Sequence, residues 1–518
     1  MLNRLSHLQG TKLTLFNLVT GIVNVLLTFS VGFFLSPFIV SKLGAEANGF
    51  TQLASNFVVY ATLITTAFNS MAGRFVSVCF HRGEIDKAKD YYSSVYAMNI
   101  FLGALLFPIS AYVVWDINNL IVIETATIWD VQLLFACIFL NFFLGLLTSL
   151  YSMALFVRNS IFYMNLLGLL RTMANAVLLL VIFSVLPIHL FYVSLVSLFL
   201  AVCLLPVYIS LQRRLLPGFH IEFRRFRFKV VGEMLSAGIW NTINQCGHMF
   251  MTGMDLLLAN LFINPAVMGV VAVSKTIPSA IIQLAHTING NFSPSVTIKF
   301  AKGNREEMLR ELRMSVKISS ILVSIPIVTF CCFSYPFYRL WMPTLDAHTL
   351  SVLSFLGLLP FIPFAGTQNL YNVFTATNKL KVNSVSFVLT GLLNVLTVYF
   401  LLKGHIGNAV YILVGFSSFL AILRMMVVIL PYTAKIISMP WYVFYKDVAH
   451  TLLCCIVNAL ISYTIIVSID IHSWPVLIFC TLVVAVLSFF AEMWILLTPH
   501  ERKRAFQLIR IKKADNHG

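Results

Sequence analysis

The sequence predicts an all-α membrane protein of about fourteen transmembrane helices. Three observations lead to this prediction: the small share of charged residues, the long apolar segments between charge clusters, and the placement of Lys and Arg. Only 10% of the 518 residues are charged and 59% are hydrophobic, whereas about 25% are charged in a soluble domain. Because so few charges cannot cover a water-facing surface, lipid must surround much of the chain.

The apolar segments set the number of helices. A membrane-spanning helix needs about 20 mostly apolar residues because the hydrocarbon core is about 30 Å thick. Cutting the chain at charge clusters and at Pro, Gly and Asn positions predicts spans near 13–38, 49–73, 91–115, 130–154, 160–184, 188–211, 231–260, 265–290, 315–337, 349–373, 381–402, 406–432, 447–468 and 474–497. The first segment is too long for the core of a signal peptide, so we expect it to be retained.

The distribution of positive charge predicts the orientation. If the N-terminus is cytoplasmic, 29 of the 35 Lys and Arg fall on the cytoplasmic side and three (Lys42, Arg339, Lys403) on the other. This asymmetry is the positive-inside pattern. Both termini are therefore predicted to be cytoplasmic, and the net charge of +16 is explained by topology rather than by binding of nucleic acid.

An internal repeat divides the predicted helices. At a constant offset of 220 residues, Gly49 pairs with Gly269, Gly83 with Gly303, Phe80 with Phe300, Val76 with Val296 and Asn24 with Asn244. An offset of six helices makes the repeats parallel, as in two-bundle transporters. The expected organisation is an N-terminal six-helix bundle (1–211), a basic cytoplasmic linker (212–230), a second six-helix bundle (231–432), and two extra helices with a basic tail (433–518).

Several short motifs resemble those of a known family. SKLGAEANGF precedes the second predicted helix, FHRGEIDKAK follows it, and MTGMDLLLANLF contains Asp255 ahead of Gly269. In these features the chain resembles the polysaccharide repeat-unit (O-antigen-type) flippases of the multidrug/oligosaccharidyl-lipid/polysaccharide exporter superfamily. Val270 follows Gly269 where that family often has an aromatic residue.

The resemblance implies a MATE-like fold and a transporter of the bacterial inner membrane that has no enzymatic activity. Such a protein flips undecaprenyl-pyrophosphate-linked oligosaccharide, a building block of lipopolysaccharide O-antigen, towards the periplasm by alternating access. It implies no bound cofactor, and a proton or sodium gradient as the energy source. Membrane lipid and the lipid-linked oligosaccharide are the implied partners, with a polysaccharide polymerase as a further one.

Three cations inside predicted spans are candidate substrate-binding residues: Arg171, Lys275 and Arg424. Ionisable groups inside spans are costly and usually face a cavity or a partner. A guanidinium binds phosphate through two hydrogen bonds and an ammonium acts as a point charge. The alternative for each is an intramembrane ion pair or a side chain that extends to the interface.

Asp255 is the candidate ion-coupling residue, because it is the one carboxylate well inside a span. It could take up a proton, bind sodium, or form a salt bridge with Lys275. Glu233 and Glu492 lie near cytoplasmic helix ends, where we expect anchoring roles. Five amides and imidazoles on the seventh and eighth predicted helices are candidate cavity-lining groups, although they could instead join helices: Asn244, Gln245, His248, Gln283 and His286.

One rival function remains the alternative to a flippase, and the sequence argues against two others. A multidrug or cation exporter of the same fold remains the alternative, but such cavities need acidic residues and this chain has three intramembrane cations against one central acid. A membrane enzyme would commonly carry a long outer loop with acidic or His clusters, which the short connections here lack. No Walker motif occurs, which excludes an ATP-driven pump. The nine cysteines lack the spacing of a zinc site.

Overall fold

The computed structural model of the protein describes residues 11–158, 160–290, 292, 296–297, 299, 305–404 and 407–502. These residues form helices and connecting turns, with no strand among them. They group into two compact units that divide between Gly269 and Val270. The predicted division into two six-helix bundles and two extra helices stays a prediction, and the basic tail from residue 503 lies outside the described residues.

The first unit is built from seven helices of eight or more residues and the start of an eighth. They are α1 (Thr11–His81), α2 (Ile85–Trp115), α3 (Ile128–Val157), α4 (Ile161–Val185), α5 (Tyr192–Leu215), α6 (Phe228–His248), α7 (Asp255–Phe262) and α8 (Pro265–Gly290). Only the first residues of α8 belong to this unit, since the border follows Gly269.

The second unit contains the rest of α8 and, among the described residues, six further helices of twelve or more residues. They are α9 (Arg305–Trp341), α10 (Ala347–Leu358), α11 (Lys381–Lys403), α12 (Ala409–Arg424), α13 (Tyr445–Ser468) and α14 (Trp474–Leu496). Each unit has an apolar core at its predicted cytoplasmic end, one around Tyr92 and Met234 and the other around Phe374 and Ile429.

The described residues contain eleven helices that are long and apolar enough to cross a membrane. One of them, α1, comprises two predicted spans, and two further predicted spans are interrupted helices. The fourteen predicted segments are thereby accounted for, and the chain is an all-α, multi-pass membrane protein.

The first two spans are joined by a single residue instead of the predicted ten-residue connection. Gly44 alone has non-helical backbone angles within α1 (φ 84°, ψ 167°). Glycine adopts positive φ without steric cost, so it turns the chain while both flanking segments stay helical. The prediction of separate helices at 13–38 and 49–73 was therefore wrong about the connection.

The seventh predicted span, 231–260, is interrupted in its middle. A π-helical turn at Met249–Gly253 separates α6 from α7. The Gly253 carbonyl accepts hydrogen bonds from Asn56 Nδ2 (3.0 Å) and Tyr60 Oη (2.6 Å), both on α1. These donors satisfy a backbone group at the interruption that hydrocarbon could not satisfy.

Two other predictions need correction. The predicted span 349–373 ends as a helix at Leu358 and continues through short 3-10 turns at Leu359–Phe361 and Thr367–Leu370, where Pro360 and Pro363 cannot donate backbone hydrogen bonds. The predicted span 315–337 is longer than expected, because the charged segment that begins at Arg305 is continuous with it in the 37-residue helix α9. At 1.5 Å per residue this helix exceeds the thickness of the hydrocarbon core.

Candidate functional site

Arg171 lies on α4 and is held by the two neighbouring helices. Its Nη2 donates to Asn141 Oδ1 of α3 and to the carbonyl and hydroxyl oxygens of Ser197 of α5, each at 3.3 Å. The side chain is half-buried. These contacts hold a permanent positive charge among three helices of the first unit.

The same Asn141 and Ser197 line a cavity of about 300 Å³ in the first unit. Five of its nine lining residues carry hydroxyl or amide groups. The lining consists of Thr51, Ser55, Val58, Ile138, Asn141, Phe142, Val193, Ser194 and Ser197. Arg171 therefore stands directly behind two polar residues of the cavity wall.

This arrangement suits a polar, negatively charged ligand. Hydroxyl and amide groups both donate and accept hydrogen bonds, and they can therefore bond to the hydroxyl groups of a sugar. A guanidinium always carries its charge and forms strong, charge-assisted bonds to phosphate oxygens. The sequence indicated Arg171 but not the cavity, because Thr51, Asn141 and Ser194 come together only when three helices that are distant in the chain pack.

Asp255 is the first residue of α7, immediately after the interrupted turn, and only 2% of its surface is exposed. Asp255 lies near Tyr60, whose hydroxyl donates to the Gly253 carbonyl. The predicted coupling residue thus lies at the break between α6 and α7.

Arg424, the last residue of α12, is 8% exposed. Its three nitrogens donate to the Asn383 side chain and carbonyl, to Ser386 Oγ at 3.3 Å and to Tyr371 Oη at 3.4 Å. Its guanidinium also lies 4.2 Å from the centre of the Phe387 ring. These contacts join α11, α12 and the interrupted segment after α10, so each nitrogen already has an acceptor within the second unit.

The remaining predicted residues are dispersed. Lys275 on α8 is half-buried, and Gln283 and His286, further along the same helix, are exposed. On α6, Asn244 and Gln245 are half-buried and His248 is exposed, with its Nδ1 3.3 Å from Thr252 Oγ1. Arg171 and Asp255 belong to the first unit, whereas Lys275 and Arg424 belong to the second.

Two carboxylates have roles that the sequence did not suggest. Glu492, expected to be an anchor, is fully buried on α14. Glu46, also buried, accepts hydrogen bonds from the backbone N–H groups of Glu124 and Thr125 and so holds the α2–α3 connection. The only sequence signal for Glu492 was its position inside an apolar segment, four residues before the end of α14.

Comparisons with known proteins identify the fold. No protein-family model matches the chain. The uncharacterized membrane protein EpsK of Bacillus subtilis (strain 168) is 26% identical over 498 residues, which cover 96% of this chain and 98% of EpsK. The inward closed structure of the lipid II flippase MurJ superposes with a TM-score of 0.65 at 12% identity, covering 92% of this chain and 98% of MurJ.

An inward-facing multidrug resistance MATE family transporter of the MOP superfamily superposes with a TM-score of 0.62 at 12% identity, over 81% of this chain and 98% of the transporter. The chain has the fold of these proteins. The MATE-like architecture expected from the motif resemblance is thereby confirmed.

Proposed function

We propose that the protein is a flippase for lipid-linked oligosaccharide, and that it moves undecaprenyl-pyrophosphate-linked repeat units across the bacterial inner membrane by alternating access. The observation that carries the proposal is the polar cavity beside Arg171. Its hydroxyls and amide match the sugar, and the guanidinium matches the pyrophosphate. The fold shared with MurJ supports the same class of transport.

Polar side chains exposed within a span support a water-filled path. Gln283 and His286 are exposed on α8, and polar groups at this depth are costly against lipid. We propose that they, with Asn244, Gln245 and His248, line the transport pathway, and that Lys275 adds positive charge to it. Arg424 fits this role less well, because its nitrogens already bond to protein acceptors.

We propose Asp255 as the coupling site for a proton or sodium ion. It is buried at the interruption between α6 and α7, where the backbone already departs from regular helix. Irregular backbone beside a carboxylate is a common setting for coupling ions in transporters. Separate collapse of the proton and the sodium gradient distinguishes the ions. Transport by Asp255→Asn with unchanged gradient dependence would assign Asp255 a structural role.

The proposal is tested in cells that depend on this protein for polysaccharide export. Arg171→Gln keeps hydrogen-bonding capacity and removes the charge, whereas Arg171→Lys keeps the charge. Since a charged hydrogen bond contributes about 1.5–3 kcal/mol, we expect Arg171→Gln to lower export about 10- to 100-fold and to accumulate lipid-linked repeat units. Arg171→Lys should retain more export.

Lys403→Ala serves as the control, because this cation ends α11 outside the cavity. Normal export by Arg171→Gln at normal protein levels would contradict the proposal. The rival multidrug exporter makes a different prediction, since its cells would instead become sensitive to organic cations while surface polysaccharide stays normal.

A further inference from the structure

Glu492 on α14 is a carboxyl group with no exposed surface, at the junction of α9, α13 and α14. Ser324 Oγ of α9 donates to its Oε2 at 2.7 Å, and the Asn458 side chain of α13 lies beside it. Its Oε1 has no hydrogen-bond partner among the described residues. The hydroxyl of Ser488, one helical turn earlier, is likewise buried without a partner there.

Among the described residues, the groups that contact this carboxyl are uncharged. α9 contributes the Ser324 hydroxyl and α13 the Asn458 amide, and the titratable groups that face Glu492 are the thiols of Cys454 and Cys455. An ionised carboxylate in such a site is strongly disfavoured unless a positive charge neutralises it. A proton needs no cavity, and it converts the unpartnered Oε1 into a hydrogen-bond donor.

Two further polar pairs lie along α9 between Glu492 and the C-terminal end of α14. Lys317 Nζ lies 2.8 Å from Glu501 at the border of the membrane segment, and Ser320 Oγ lies 2.9 Å from Thr451 Oγ1. Lys317, Ser320 and Ser324 follow each other at spacings of three and four residues, so they share one face of α9. This face meets α13 and α14, and it places hydroxyl groups between the partly exposed Lys317–Glu501 pair and the buried carboxyl.

We propose that Glu492 is a proton-binding site of the second unit. A proton from water at the Lys317–Glu501 end forms an O–H bond at Oε1 and cancels the carboxylate charge, and its release to the same water restores the charge. The hydroxyls of Ser320, Thr451 and Ser324 mark the route. The site is separate from Asp255, and the proposal does not depend on the proposed substrate.

Infrared spectroscopy of the purified full-length protein in lipid nanodiscs tests the assignment. At neutral pH the wild-type protein should show the C=O stretch of a protonated carboxylic acid, and Glu492→Gln should lose it. An alkaline pH jump should release one proton more from the wild type than from Glu492→Gln. Glu124→Gln, which changes an exposed carboxyl, should leave both signals unchanged.

Ser324→Ala provides a second test, in which the carboxyl group stays in place. It removes the donor to Oε2, so the same band should shift to higher frequency. Identical carboxylic-acid bands and proton release in the wild type, Glu492→Gln and Ser324→Ala would overturn the proposal. If sodium in place of potassium removes the band at constant pH, the site binds sodium and the proton assignment is wrong.

Discussion

Gly49 and Gly269, the pair that the 220-residue offset matched, lie against each other in the structure. A Cβ atom on Gly49 would stand 3.0 Å from the backbone N and Cα atoms of Gly269. A Cβ atom on Gly269 would stand 2.2 Å from the Ala45 carbonyl oxygen. The start of α8 and the second half of α1 therefore approach so closely that neither position has room for a side chain.

We expect Gly269→Ala to destabilise the protein. The new methyl group meets backbone atoms that cannot rotate away, and overpacking of this kind costs about 1–3 kcal/mol. Thermal unfolding of the purified protein measures the effect. Gly290→Ala at the other end of α8 is the control, because a Cβ there meets no atom of the described part of the chain within 4 Å. Equal melting temperatures for the two variants would contradict the close contact.

The spans could be predicted because they depend on local composition. Apolar segments of sufficient length, charge clusters and recurring glycines are all visible in the sequence, and they correctly located the helices around Gly49 and Gly269. The sequence could not show that Gly44 alone would connect two helices. The same pattern of residues fits either of two connections: a single glycine with positive φ, or a longer flexible segment.

The candidate site was predictable only in part. Arg171, Asp255 and Arg424 stand out as charges within apolar segments, but their surroundings depend on which helices pack together. Arg424 meets Asn383 and Ser386 from α11 and Tyr371 after α10, and no spacing rule links these positions. Glu492 was wrongly expected to be an anchor for the same reason, since its burial depends on how α9 and α13 pack against α14.

Glu46 and Asn260 hold the connection between α2 and α3 from two sides. Glu46 Oε1 and Oε2 accept from the N–H groups of Glu124 (3.0 Å) and Thr125 (2.9 Å). The Asn260 side chain bonds to both the N–H and the carbonyl of Val122, at 2.8 and 2.9 Å. The segment thus has two independent attachments within the first unit.

Glu46→Ala should release one attachment and leave the other. A hydrogen bond to a charged group contributes about 1.5–3 kcal/mol, so amide hydrogen exchange at Glu124 and Thr125 should accelerate about 10- to 100-fold. The Val122 amide, bound to Asn260, is the internal control and should change little. Uniform acceleration across all three amides would instead indicate that the segment opens as one piece.

Arg424 should stabilise the second unit. Arg424→Ala removes the charged donor to the Asn383 side-chain oxygen, and a hydrogen bond to a charged group contributes about 1.5–3 kcal/mol. Arg424→Lys should rescue only part of this loss, because an ammonium lacks the planar shape needed to stack on Phe387. Melting temperatures of the purified variants measure the effect, with Arg339→Ala, an exposed position on α9, as the control. Unchanged stability with lost transport would favour direct substrate contact.

Asp346 caps α10 outside the membrane segments, and its stabilising effect should depend on pH. Hydrogen bonds from the Thr349 side chain, the Thr349 N–H and the His348 N–H lower the pKa of Asp346 below its ordinary value of 3.8. A lowered pKa in the folded state means that the stabilisation is present above the ordinary pKa and is lost as the pH falls through the folded-state value. Asp346→Ala should therefore melt earlier than the wild type at neutral pH, and this difference should shrink in acid.

The central claim is that the protein flips a lipid carrying a charged oligosaccharide and that the charge of Arg171 takes part. The most direct measurement reconstitutes the purified protein into liposomes with a fluorescent undecaprenyl-pyrophosphate oligosaccharide and follows its exposure to a membrane-impermeant quencher. We predict movement between leaflets in the wild type, partial movement with Arg171→Lys, and a rate about tenfold or more lower with Arg171→Gln. Equal rates in protein-free liposomes and in all three proteins would contradict the account.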